Sequence, residues 1–160
     1  MLMPYNLDKI DTQILGILQK DSNRTTKSIA EELGMTTSPI FERIKKLEKE
    51  GYIKKYVAVL DNKKIGLKLT VFIGITLQGH TRSYLEKFVK EINNFPEIVE
   101  CHRVSGNFDY LLKLVVEDIE AYERFIMSKL TLLSYLGNVQ SLITLSTGKE
   151  TNEIDLSGIM

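Results

Sequence analysis

The chain has 160 residues, 43% hydrophobic and 26% charged. That is enough for one ordinary domain or two small ones, and the balance is that of a globular rather than a disordered protein. Net charge is zero, but residues 1–68 hold 13 Lys and Arg against 9 Asp and Glu, whereas residues 69–160 hold 8 against 12. A basic front half beside an acidic back half suits a nucleic-acid-binding module joined to a domain that does not bind nucleic acid.

The single cysteine, Cys101, cannot form an internal disulfide. With only His80 and His102 as histidines, no zinc site or other metal site is expected. No apolar run approaches the ~18 residues of a membrane span. Met1 to Asn6 shows no basic-then-apolar leader, so a reducing cytoplasm is the expected compartment.

Helical spacing dominates the first 50 residues. A first helix should begin at Asp8, a good N-cap, with Asp11 in the first turn where the helix dipole favours a carboxylate. Ile10, Ile14, Ile17 and Leu18 form its apolar face. A short second helix from Thr25 or Thr26 turns Ile29, Ala30 and Leu33 inward and ends at Gly34. A third opens at Thr37-Ser38-Pro39, where hydroxyls can cap and proline is tolerated, buries Ile40, Ile44 and Leu47, and stops at Gly51. Tyr52 to Leu60, with β-branched Ile53, Val57 and Val59, reads as a strand ending in an Asp61-Asn62 turn. Two helices joined by a short glycine turn are a helix-turn-helix; the trailing strand suggests a winged variant or a linker.

From residue 69 the pattern changes. Residues 69–78 alternate, with Val71, Ile73, Ile75 and Leu77 on one side and Thr70, Phe72, Gly74, Thr76 and Gln78 on the other. Ser83 to Asn93 is a helix with Tyr84, Leu85, Phe88, Val89 and Ile92 inward. Strands follow over Glu97 to Val104 and Asp109 to Val116, joined by a turn at Ser105-Gly106-Asn107-Phe108. Asp118 caps a second helix carrying Ile119, Tyr122, Phe125, Ile126 and Leu130, and the last strand spans Val139 to Thr147. The order is βαββαβ, the ferredoxin-like arrangement of an α+β domain. The predicted organisation is a DNA-binding domain over 1–60, a linker over 61–68, the βαββαβ domain over 69–150 and a tail over 151–160 with little core content.

The third helix is the functional candidate. Its N-terminal part would enter the major groove, bringing Thr37, Ser38, Phe41 and Glu42 to base edges. A hydroxyl bonds either base type, an aromatic touches a thymine methyl, and a carboxylate accepts from cytosine. Arg43, Lys45 and Lys46 are better placed for phosphates. The plain alternative is that Arg43-Ile44-Lys45-Lys46 is the solvated side of an amphipathic helix.

Three stretches carry a family resemblance: Leu7 to Leu15 (LDKIDTQIL), Ile29 to Gly34 (IAEELG) and Ile40 to Ile53 (IFERIKKLEKEGYI). They resemble the DNA-binding half of the Lrp/AsnC family, the feast/famine regulators, and the βαββαβ half resembles that family's effector domain. The similarity covers roughly residues 7–150. It implies a sequence-specific regulator that binds double-stranded DNA, dimerises through its C-terminal sheets and often assembles into octamers. It also implies a free amino acid or related small metabolite bound between subunits. The family's ligand loop before the third strand aligns with Ser105, Gly106, Asn107, Phe108 and Asp109. Exposed N–H groups of such a turn can hold a carboxylate, and an aspartate an ammonium. Equally, Gly106-Asn107 is a good hairpin turn that Asp109 caps. Where many members carry a pair of threonines in the last strand, this chain has Val139 and Ser141; only Ser141 keeps a hydroxyl. An alternative is therefore an effector-independent architectural DNA-binding protein. An enzyme is not expected: the sequence shows no nucleophile–base pair, metal cluster, phosphate loop or cofactor motif. His102, Glu97 and Glu100 read as sheet-surface residues.

Overall fold

The computed structural model describes residues 6–79 and 81–158; the leader-free reading of Met1 to Asn6 falls mostly outside them, as does His80. The chain divides into two compact units. One joins residues 6–59 with the C-terminal 149–158; the other is residues 60–148.

The first unit holds helices α1 (Lys9–Lys20), α2 (Thr26–Glu32) and α3 (Thr37–Lys49). Asp8 caps α1 through a reciprocal box: its side chain accepts from the Asp11 N–H, and the Asp11 carboxylate accepts from the Asp8 N–H. Thr25 caps α2 through the Ser28 N–H. Gly34, at φ 65°, reverses the chain, so that the Met35 N–H reaches back to the Ala30 carbonyl at 2.9 Å; this left-handed turn is open to glycine without strain. Ile14, Leu18, Ile29, Ala30, Ile40 and Leu47 form the core, with Met35 and Ile53 packed at its edge.

The strand expected over Tyr52 to Leu60 does not form. Residues 54–60 make no ladder, and Val57 and Val59 are exposed. Their β-branched side chains supply propensity, but a strand needs a paired neighbour, and this unit has none among the described residues. The Tyr56 hydroxyl instead donates to Glu48 of α3 at 3.1 Å.

The second unit is a four-stranded antiparallel sheet of β1 (Leu69–Leu77), β2 (Ile98–Arg103), β3 (Tyr110–Val116) and β4 (Leu136–Ile143), in the order β2-β3-β1-β4, with α4 (Arg82–Ile92) and α5 (Ile119–Ser128). This is the expected βαββαβ fold. Both helices cover one face, where Phe88, Ile92 and Phe125 meet Val71, Ile73, Ile75, Leu112 and Leu114. Thr81 and Asp118 cap the helices. Tyr84, Val89 and Ile119, expected inward, are exposed at the rims of their helices. β4 begins and ends three to four residues earlier than expected. The opposite face of the sheet carries Phe72, Leu111 and Leu142, and no described helix covers it.

Two connecting segments differ from plain loops. Residues 61–68 form a turn capped by Asp61, with Gly66 at φ 91° and the Lys68 N–H bonded to the Glu117 carbonyl. The tail is mostly exposed, yet it is held against α1: the Gln19 side-chain amide donates to the Ile154 carbonyl at 2.8 Å and accepts from the Ile154 N–H at 3.0 Å. This two-way bond imitates a strand pairing with one side chain. Gln19→Ala should release the tail, read as faster amide exchange at Ile154 with the exchange of α3 unchanged. Unaltered protection at Ile154 would show that other contacts hold the tail.

Candidate DNA interface and ligand loop

The length of α3 follows from its sequence. Pro39 pre-sets the first turn, Ile40 and Leu47 anchor one side in the core, and Gly51, at φ 79°, ends it. Thr36 occupies the N-cap with extended backbone, but no hydroxyl caps the helix. Thr37 and Ser38 are exposed at this helix start. Phe41 is 46% exposed, unusual for a large aromatic side chain with a core one turn away. Glu42 and Lys46 are exposed beside it. Lys45 bonds Glu48 at 2.9 Å and sits 5.8 Å from the centre of the Phe41 ring. The Lys45 and Tyr56 bonds hold the Glu48 carboxyl below its ordinary value against a smaller opposing effect of burial.

Arg43 has a different environment from the one expected. A single guanidinium nitrogen lies 2.7 Å from both Asp8 and Asp11 of α1. The bond from the Asp11 N–H, together with this guanidinium, holds the Asp8 carboxyl below its ordinary value. Asp11 is the one charged side chain that is buried among the described residues. From sequence, Asp8 reads as an N-cap, Asp11 as a first-turn carboxylate favoured by the helix dipole, and Arg43 as a phosphate contact. Nothing in the sequence joins them across 32 to 35 residues.

The Ser105 to Asp109 loop lies between β2 and β3. Gly106 takes φ 125°, and the loop closes through the Val104 N–H to the Asp109 carbonyl at 3.0 Å. Asp109 caps β1 rather than the hairpin: its N–H bonds the Ile75 carbonyl, and its carboxylate accepts from the Leu77 N–H at 2.8 Å. Phe108 lies flat on Gly74, where a Cβ would meet its ring at 2.7 Å. A glycine in the middle of a β-branched strand was the available signal for such an approach. Gly74→Ala should therefore expel the Phe108 ring and loosen the loop. The check is loss of amide-exchange protection at Asp109; retained protection would show that the ring accommodates the methyl.

Ser141 and Val139 pair with Ile73 and Ile75 of β1, so they share the helix-covered face, whereas Phe108 sits on the bare one. One chain therefore does not bring Ser141 together with the loop. Glu97 and Glu100 are not simply solvated: Glu97 pairs with Lys129 at 2.5 Å, and Glu100 with His102 and Lys113 at 3.1 Å each. Burial pushes the Cys101 thiol up, away from thiolate chemistry. No group of three or more His, Cys, Asp or Glu residues suited to a metal occurs among the described residues, nor is any of their helices long and apolar enough to cross a membrane.

A helix-turn-helix unit followed by a separate α+β unit defines a DNA-binding regulator with a ligand-binding domain, and comparisons with known proteins agree. Residues 7–54 match the winged helix-turn-helix DNA-binding family, and residues 70–154 match the Lrp/AsnC ligand binding domain family. The transcriptional regulator AzlB of Bacillus subtilis is 33% identical over 154 residues, covering 96% of this chain and 98% of its own. The crystal structure of an AsnC family transcriptional regulator from Agrobacterium tumefaciens superposes with a TM-score of 0.91 at 37% identity, over 96% of this chain and all of that one. A transcriptional regulator from Neisseria meningitidis, solved as a complex with L-Met, gives 0.92 at 28% identity, over 97% of this chain and all of that one. The chain belongs to the Lrp/AsnC family of transcriptional regulators. Its relatives are regulators, not enzymes.

Proposed function

We propose that this protein is a cytoplasmic, ligand-responsive DNA-binding regulator that works as a dimer, assembling further toward octamers, and senses an amino acid or a related small metabolite. Thr37, Ser38, Phe41 and Glu42 read bases, while Lys45 and Lys46 contact phosphates. The exposure of these side chains on a helix anchored by Ile40 and Leu47 supports that division. Bound L-Met in the Neisseria neighbour, over nearly the whole of this chain, carries the amino-acid reading.

The bare sheet face is the dimer surface: it carries the large apolar side chains Phe72, Leu111 and Leu142, whose burial against a second copy would be favourable. The ligand site is built from Ser105, Gly106, Asn107 and Asp109 of one subunit, completed by a second, with Ser141 contributing from β4. That loop and Ser141 face opposite sides of one sheet, so a Ser141 that joins the loop comes from a subunit met elsewhere than across the bare sheet face.

Selection from random duplex DNA tests this reading. The protein should recover a pseudo-palindrome with half-sites about one helical turn apart, and millimolar L-methionine or another amino acid should shift its affinity there about 5- to 150-fold. Recovery of no preferred sequence, with no response to any amino acid, would replace this reading with the architectural one to which Val139 points.

A further inference from the structure

We propose that Arg43 is a positioning residue: by joining Asp8 and Asp11 it fixes the angle at which α3 is presented to DNA, and it does not itself hold a phosphate. This rests on reading α3 as the helix that enters the groove.

Each carboxylate in the cluster is also tied to the backbone of α1. Asp8 uses one oxygen for the Asp11 N–H and the other for Arg43. Asp11 uses one for the Asp8 N–H and the other for Arg43. The guanidinium is therefore referenced to the first turn of α1 through four hydrogen bonds, and α3 inherits that reference through its own backbone. Apolar contacts carry no preferred direction, whereas charge-assisted hydrogen bonds at 2.7 Å depend on both distance and angle.

A buried ion pair adds little net stability compared with well-packed apolar residues, and its best-attested use is to fix one arrangement among several similar ones. Asp11, fully buried, is such a group, and a recognition helix is where angular error would be felt. Arg43 lies one turn before Lys46 and one residue after Glu42, so rotation of α3 about this clamp would move both proposed base and phosphate contacts. Two carboxylates around one guanidinium leave the cluster with a net negative charge, so a phosphate brought to Arg43 would meet no unbalanced positive charge.

The test is DNA binding by the full chain as a function of salt, on mixed-sequence duplex and on the duplex that the protein selects, with folding checked by circular dichroism. Arg43→Gln should weaken the selected duplex roughly tenfold, the scale of one lost base-pair match, while leaving the salt slope on mixed-sequence DNA unchanged. Adding Asp11→Asn removes the stranded charge but does not restore the clamp, so the loss should persist in the double variant. Lys46→Ala should instead lower the slope by about 0.9, the signature of one phosphate.

A fall of about 0.9 in the slope for Arg43→Gln, or full recovery of affinity in the double variant, would overturn the proposal. If Arg43→Gln fails to fold, Asp11→Asn alone decides. The proposal expects weaker binding to the selected duplex at an unchanged slope, whereas a phosphate-binding Arg43, freed from Asp11, would hold or raise the affinity. Failure of the underlying reading looks different: Lys45→Ala and Lys46→Ala would then leave the slope at its wild-type value.

Discussion

Leu47→Ala should abolish DNA binding while residues 60–148 stay folded. Leu47 is fully buried, one of six buried core side chains of the smaller unit. Truncating a leucine in such a position costs about 2–5 kcal/mol, from lost transfer energy and the cavity left behind. A unit of this size has a total stability on the order of 3–9 kcal/mol, so one substitution removes a large part of it. The second unit has its own core around Phe88, Ile73 and Leu112, which shares no residue with the first. Thermal melting followed by amide exchange should show α1 to α3 unprotected at a temperature where β1 and β3 remain protected. Simultaneous loss of both would show that the two cores fold as one.

Replacing Lys45 and Lys46 together by alanine should weaken binding to every duplex on the order of thirtyfold at 0.15 M salt and flatten the salt slope by about 1.8, the loss of two phosphate contacts. The Lys45–Glu48 pair is exposed and contributes little to stability, so the folded state should not change. Phe41→Ala, by contrast, should relax sequence preference with little change in slope, because an aromatic that touches a base edge carries no counterion. If the two lysines can be removed with an unchanged slope, some other surface carries the phosphate contacts.

Much of this was readable in the sequence because local chemistry agreed with the fold. Asp8, Thr25, Gly34 and Gly51 punctuate three helices whose apolar spacing already marks the core, and the alternation of Val71, Ile73, Ile75 and Leu77 places β1 in the sheet without ambiguity. The errors share a cause. Residues 54–60 have strand propensity, but pairing is a long-range property that propensity does not report. β4 is an edge strand whose side chains are mostly exposed, so alternation could not mark its start at Leu136. The Arg43 clamp, the Gln19 bond to the tail and the seat of Phe108 on Gly74 all join residues far apart in the chain. Arg43 is the clearest case: from sequence it reads as a phosphate contact in a basic stretch, and its two carboxylate partners appear only in the structure.

The Ser105 to Asp109 loop was legible as a turn but not in its attachment. Asp109 was weighed as a ligand for an ammonium or as a hairpin cap. Its carboxylate also ties the loop to the end of β1 through the Leu77 N–H, a connection across 32 residues that neither reading contains.

The most direct test of the regulator as a ligand sensor is thermal melting of the full chain with each of the twenty free amino acids at millimolar concentration. One or a few should raise the transition, by about 2.7 kcal/mol at a hundred times the dissociation constant, and Asp109→Ala should remove the shift. Twenty unshifted transitions would contradict an amino-acid effector.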